Sequence, residues 1–134
     1  MMLLLDTHVL VWLDEGSTRL GKTALQIINE SLAAGQLGVA TICFWEIALL
    51  VEKQRLIMKT ELDVWRSELL QAGLLEIPLR GTTAIRAGQL HLFQGDPADR
   101  MIVASAIENG ATLMTADEKI LSWSQFHQKI DARL

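Results

Sequence analysis

Apolar residues along the chain alternate between short unbroken runs and longer stretches with helical spacing. Short runs that stop at a polar residue are typical of buried strands. We predict five of them, at residues 2–5, 38–41, 74–79, 111–115 and 129–133.

The stretches between these runs have the periodicity of helices. Leu20, Ala24, Ile28 and Leu32 follow one another four residues apart, and Gly35 ends this stretch. Such spacing places the apolar side chains on one helical face. By the same criterion we predict helices over residues 20–32, 42–55, 62–72, 84–91, 96–109 and 118–123.

Strands that alternate with helices indicate an α/β fold with a parallel sheet. We predict a three-layer α/β/α sandwich around a mostly parallel sheet of four to five strands. The 134 residues fall within the usual length of one domain, so we predict a single domain over residues 1–134.

Composition indicates the cellular compartment of the protein. The longest apolar runs have five residues, far below the roughly 18 that a transmembrane helix needs. The single cysteine, Cys43, excludes an internal disulfide and a cysteine-based metal site. We therefore predict a cytoplasmic protein with no membrane partner.

The net charge of −4 and the absence of a basic block argue against a nucleic-acid partner. Divalent cations held by the acidic side chains would reverse this argument, because they supply the positive charge that the side chains lack.

Five acidic residues occupy positions where a parallel sheet binds its ligands. Asp6 follows the first strand, and Asp117 comes two residues after the fourth. Glu46 lies in the first turns of the helix after the second strand, and Asp96 and Asp99 open the helix that leads to the fourth. Ligands of parallel α/β sheets bind beyond the carboxyl ends of the strands, so we expect these acids to converge.

Each acid also has a purely structural interpretation. Asp96, Pro97 and Asp99 match the preferred N-cap, N1 and N3 residues of a helix. Asp117 fits inside a capping box formed by Thr115 and Glu118, and Asp6 can cap the turn after its strand.

Glu46 is the hardest of the acids to explain structurally. Apolar residues flank it on both sides, from Ile42 to Val51. It either points to solvent or has a partner that offsets the cost of its desolvation. Acids that converge repel one another, and a hard cation such as Mg²⁺, with oxygen ligands and retained waters, relieves that repulsion. One or two such ions activate water for attack on a phosphodiester.

Four segments, at residues 3–12, 42–48, 96–106 and 113–117, resemble the successive signatures of PIN-domain proteins, most closely VapC-type toxins of type II toxin–antitoxin pairs. The resemblance covers almost the whole chain. It implies an endoribonuclease that uses Mg²⁺ or Mn²⁺, a cognate VapB-type antitoxin and a homodimer.

The same resemblance assigns roles to individual residues. It places the catalytic, metal-binding acids at Asp6, Glu46 and Asp99, with Asp117 as a fourth, more variable one. Around them it implies supporting roles for Asp96 and Thr115, and we add Thr7 and Arg100 as further candidates for such contacts. Many relatives have a histidine two residues before the Asp-Pro pair, where this chain has Gln94.

Two other functions compete with the RNase. A non-catalytic interaction module with the same fold would tend to lose some of the acids, whereas this chain keeps all four. A receiver-like phosphoacceptor domain also gathers acids around Mg²⁺, but it would have paired acids after the first strand. Here Asp6 is followed by Thr7 and His8.

Overall fold

The computed structural model describes residues 1–134 and contains one sheet of five strands. All four strand pairs are parallel, in the order β3-β2-β1-β4-β5. The predicted α/β class and the five-stranded sheet are confirmed. The strands are β1 (Leu3–Leu5), β2 (Leu37–Ala40), β3 (Leu75–Ile77), β4 (Thr112–Thr115) and β5 (Lys129–Asp131).

Seven helices connect the strands. No helix combines the length and the apolar character that crossing a bilayer requires. The helices are α1 (Thr7–Glu15), α2 (Lys22–Ala33), α3 (Thr41–Glu52), α4 (Leu62–Gln71), α5 (Gly81–Gly88), α6 (Pro97–Glu108) and α7 (Glu118–Leu121).

The centre of the sheet is covered on both faces. Leu3, Leu4 and Leu5 of β1 have no exposed surface, although successive side chains of a strand point to opposite faces. Helices must therefore pack on each side, which gives the predicted three layers. Full burial on both faces explains why β1 is an unbroken apolar run rather than an alternating one.

The strand order creates the place for a ligand. From β1 the chain builds outward through β2 and β3, then crosses to β4 and β5 on the other side. The order therefore reverses between β1 and β4, and a crevice opens beyond the carboxyl ends of strands at such a point. Asp6 follows β1 there, and Thr115 ends β4.

Helix α1 is the one element that the apolar pattern does not predict. Its residues from Val9 to Leu13 are all apolar, so no 3.6-residue contrast marks a helix. Only the residues at the two ends of α1 indicate a helix. Asp6 is the N-cap, and Gly16 adopts the left-handed conformation (φ 63°) that closes the helix.

The predicted elements differ from the observed ones by up to three residues at their ends, and two of these differences have a local cause. The third strand is only Leu75–Ile77, since Pro78 has no N–H to donate to a neighbouring strand. Helix α5 starts three residues earlier than predicted, at Gly81, where the Thr83 hydroxyl accepts a hydrogen bond from the Arg80 N–H.

Gly21 lies where the last residues of the chain pack against the start of α2. Its N–H donates to the Ala132 carbonyl (2.9 Å). A Cβ at this position would meet the backbone carbonyl groups of Leu134 and Arg133. Only a glycine lets these two segments approach so closely.

We expect Gly21→Ala to lower the free energy of unfolding by about 1–3 kcal/mol, because the added methyl overpacks rigid backbone. Gly81→Ala is the matched control, since nothing lies within 4 Å of a Cβ there and alanine favours a helix. Urea unfolding of both variants measures the difference. Equal stability of the two would contradict the close approach at Gly21.

Candidate active site

Asp6 is the innermost acid of the site and is only 2% exposed. Its Oδ2 accepts a hydrogen bond from the Thr115 hydroxyl (2.7 Å), and its Oδ1 accepts one from the Thr7 N–H (2.8 Å). The Thr115 oxygen in turn accepts from the Asp117 N–H (3.0 Å). The ends of β1 and β4 thus hold this carboxylate in one orientation.

Glu46 is half-buried on the first turns of α3, and it has the partner that its apolar surroundings require. The Thr7 hydroxyl donates a hydrogen bond to its Oε1. The solvent-facing alternative for Glu46 is therefore wrong. Thr7 links two acids, since its N–H bonds Asp6 and its hydroxyl bonds Glu46.

Asp96 and Asp99 open α6 as the sequence predicts. Asp96 is the N-cap, Pro97 follows it, and the Asp96 Oδ1 accepts a hydrogen bond from the Asp99 N–H (2.8 Å). The Asp99 carboxylate accepts from the Asp96 N–H at 3.4 Å. One carboxylate oxygen from each of Glu46, Asp96 and Asp99 lies within 4.8 Å of the other two. The capping residues therefore also belong to the acidic cluster.

A groove of about 730 Å³ runs between α1 and α3 and brings the main acids together. Asp6, Glu46 and Asp99 all line it. No lysine or arginine forms an ion pair with these carboxylates, and the His8 Nδ1 lies 3.8 Å from the Asp6 Oδ2. We call this feature the α1–α3 groove.

Burial makes the acids of the groove harder to ionise. It raises the pKa of Asp6 and of Glu46 above their ordinary values. It also raises the pKa of Asp99 to about 7, with the charges of Asp96 and Asp6 as the next causes. Raised pKa values follow from convergence as expected, but desolvation is a larger cause than repulsion.

Asp117 lies close to the acids without lining the groove. Its carboxylate accepts a hydrogen bond from the Lys119 N–H (2.9 Å) and caps α7, so the cap is Asp117 itself rather than Thr115. Its charge contributes to the raised pKa of Asp6 and Asp99.

His8 lines the groove beside Asp6. Its Nε2 accepts a hydrogen bond from the Ala116 N–H (2.9 Å), and its ring meets the edge of Trp12 at a centroid distance of 5.1 Å. These contacts are local packing and hydrogen bonding.

Arg100 and Gln94 lie away from the acids. The Arg100 guanidinium donates to the carbonyls of Ala87 (2.9 Å), Phe93 (2.6 Å) and Leu90 (2.8 Å). It therefore holds the segment before α6 rather than facing the groove. Gln94 is exposed in a shallow depression elsewhere.

Comparison with known proteins identifies the family. The family model of the PIN domain matches residues 3–123. The chain belongs to the PIN-domain family. Among curated proteins, Ribonuclease VapC22 of Mycobacterium tuberculosis is 36% identical over 120 residues, which are 89% of each chain.

Solved structures share the fold of this PIN domain. A chain of the Rickettsia felis VapBC2 complex, bound to a DNA fragment from their promoter, matches with a TM-score of 0.70 and 18% identity, over 98% of this chain and 100% of that one. A toxin–antitoxin complex from Klebsiella pneumoniae matches at 0.63 and 17%, over 96% of both chains. FitAcB from Neisseria gonorrhoeae matches at 0.58 and 22%, over 87% and 88%.

The acidic cluster in the groove has the chemistry of a divalent-cation site. Beside the imidazole of His8 it offers carboxylate and hydroxyl oxygens, the donors that Mg²⁺ and Mn²⁺ prefer. Glu46 and Asp99 are half-buried and lack a cationic partner, although burial penalises their charge. A cation would remove this penalty, so the residues of the PIN domain fit such an ion.

The raised pKa of Asp99 predicts how the metal-free stability depends on pH. The pKa of an aspartate in an unfolded chain is about 3.9. Burial raises the pKa of Asp99 in the folded protein to about 7. The folded state thus keeps a proton that the unfolded chain releases. Stability contributed by Asp99 falls as pH rises from about 4 and is fully lost above about 7.

Asp99→Asn should remove this dependence. In EDTA, the thermal midpoint of the variant should rise relative to that of the wild type as the pH increases from 4 to 7. Added Mg²⁺ should reduce this difference, since it binds the folded wild type. Parallel pH profiles of the two proteins would show that Asp99 has an ordinary pKa.

Proposed function

We propose that this PIN domain is a metal-dependent endoribonuclease and the toxin of a type II toxin–antitoxin pair. The observation that carries the proposal is the convergence of Asp6, Glu46 and Asp99 in the α1–α3 groove. Membership of the PIN family and the similarity to Ribonuclease VapC22 support RNA as the substrate.

We assign the metal ligands to Asp6, Glu46 and Asp99, with Asp117 and Asp96 beside them and one or two ions of Mg²⁺ or Mn²⁺. When bound, the ion would supply activation of the attacking water and stabilisation of charge on the phosphodiester. Carboxylate oxygens suit these hard cations, and the close grouping of Glu46, Asp96 and Asp99 allows more than one carboxylate to share an ion.

The side chains around the acids prepare them for this role. Thr115 and the Thr7 N–H fix both oxygens of Asp6, and the Thr7 hydroxyl fixes Glu46, so little reorganisation is needed on metal binding. Asp99 must release its proton to act as a ligand. Metal affinity and activity should therefore rise with pH through about 7.

We propose a VapB-type antitoxin as the protein partner. Two of the structures with the same fold come from the VapBC2 complex and from a toxin–antitoxin complex, which supports such a pairing. The homodimer implied by the family stays a prediction.

Substitution of the acids should separate catalysis from fold. Asp6→Asn and Glu46→Gln keep the shape of the side chain but remove one charge, and each should lower turnover of a mixed RNA in Mn²⁺ by roughly a hundredfold or more. Glu52→Gln, an exposed residue on the same helix as Glu46, is the matched control. Full activity of Glu46→Gln would exclude Glu46 from the site, and a non-catalytic module would show no activity in any variant.

The ends of the products report on the nucleophile. Attack by water should leave 5′-phosphate and 3′-hydroxyl ends, and excess EDTA should stop cleavage. Mass spectrometry of the fragments distinguishes these ends from a 2′,3′-cyclic phosphate. A cyclic phosphate, or cleavage that persists undiminished in EDTA, would rule out metal-assisted hydrolysis even with RNA as the substrate.

A further inference from the structure

The lining of the α1–α3 groove includes two arginines as well as acids, among them the exposed Glu15. The arginines are Arg19 and Arg55, and both side chains are exposed. Neither guanidinium has an ion-pair or hydrogen-bond partner; the only such contact of Arg19 runs from its backbone N–H to the Ser17 hydroxyl. The Arg100 guanidinium, by contrast, donates hydrogen bonds to backbone carbonyls.

The end of α3 determines where Arg55 lies. The Arg55 N–H donates to the Leu50 carbonyl (2.9 Å), and the Gln54 N–H donates to the Val51 carbonyl (3.0 Å). This is a Schellman motif, which reverses the chain over the last helical turn. Its left-handed position holds Gln54 (φ 59°) instead of the usual glycine.

The reversal brings Arg55 to the face of α3 that carries the active-site acid. Glu46 and Leu50 are one turn apart on that face, and both line the groove with Arg55. Arg55 also borders a second cleft, of about 340 Å³, together with Glu46, Asp96 and Lys53. A cationic side chain therefore lies beside both clefts that meet at Glu46.

The groove also has an apolar lining. Trp12 and Val11 contribute to it from α1, and Leu50 and Leu56 contribute from α3 and the segment that follows. Apolar side chains and an aromatic ring in a groove that also holds acids and two arginines suit a polymer with a charged backbone and flat bases.

We infer that Arg55 and Arg19 bind backbone phosphates of the RNA substrate and so form its track along the α1–α3 groove. The inference rests on the proposed function and names the residues that hold its substrate. The net charge of −4 argues against a nucleic-acid partner unless cations are present locally. Arg55 and Arg19 would supply such cations in the groove.

RNA binding without cleavage tests this directly. In an Asp99→Asn background with Mg²⁺ present, fluorescence anisotropy measures the affinity for short labelled single strands at several salt concentrations. Adding Arg55→Ala should weaken binding roughly tenfold. The slope of log affinity against log salt should fall by about 0.7 for the lost phosphate contact. Oligo-U and oligo-A should lose affinity equally, since phosphates carry no sequence information.

Two variants control for charge alone. Arg86→Ala removes an exposed arginine on α5 that lines neither cleft and has no side-chain partner. It should leave affinity and slope unchanged. Arg55→Lys keeps the charge but not the planar fork, so it should retain the slope and lose less affinity than Arg55→Ala. In the wild-type background, Arg55→Ala should raise KM more than it lowers kcat.

The outcomes separate this inference from the proposed function. Equal effects of Arg55→Ala and Arg86→Ala would overturn the track. So would unchanged RNA binding combined with weaker binding of an acidic peptide, because the arginines would then serve a protein partner. If the wild type binds RNA through Arg55 but never cleaves it, the proposed hydrolysis fails and the track stands.

Discussion

The hydrogen bond from the Thr115 hydroxyl to the Asp6 carboxylate is the contact on which the site depends. It joins the ends of β1 and β4, the two strands between which the sheet order reverses. A carboxylate that is 2% exposed is costly to bury, and this donor and the Thr7 N–H offset part of the cost. The same carboxylate caps α1, so a single side chain both starts a helix and faces the groove.

Structural and chemical roles coincide at other acids as well. Asp96 and Asp99 cap α6 through mutual backbone contacts, and they also approach Glu46 closely enough to share an ion. Asp117 caps α7 while its charge acts on Asp6 and Asp99. A helix start at the carboxyl edge of a sheet places an acid near the ligand in any case, so a capping signature does not argue against a catalytic role.

The apolar pattern was sufficient to predict the strands because buried parallel strands are unbroken runs, as at Leu3–Leu5. It failed for α1, where every face carries apolar residues and only Asp6 and Gly16 mark the ends. The acids of the site were predictable from their positions after strands. Thr7 was among the expected supporting residues, but its pairing with Glu46 was not predictable, because the two are distant in sequence and meet only after β1 and β2 pair. No sequence pattern marks Arg19 and Arg55 as functional, since exposed arginines near helix ends are common.

The contacts of Arg100 have a consequence for how the molecule moves. Residues between α5 and α6 form no regular structure, and Leu92 there has a positive φ of 59°. Two of their carbonyls, those of Leu90 and Phe93, instead accept hydrogen bonds from the Arg100 guanidinium carried on α6. The same helix presents Asp99 to the groove. Opening of this segment to solvent therefore breaks the contacts of the residue next to Asp99, which couples local unfolding of the segment to the first turn of α6.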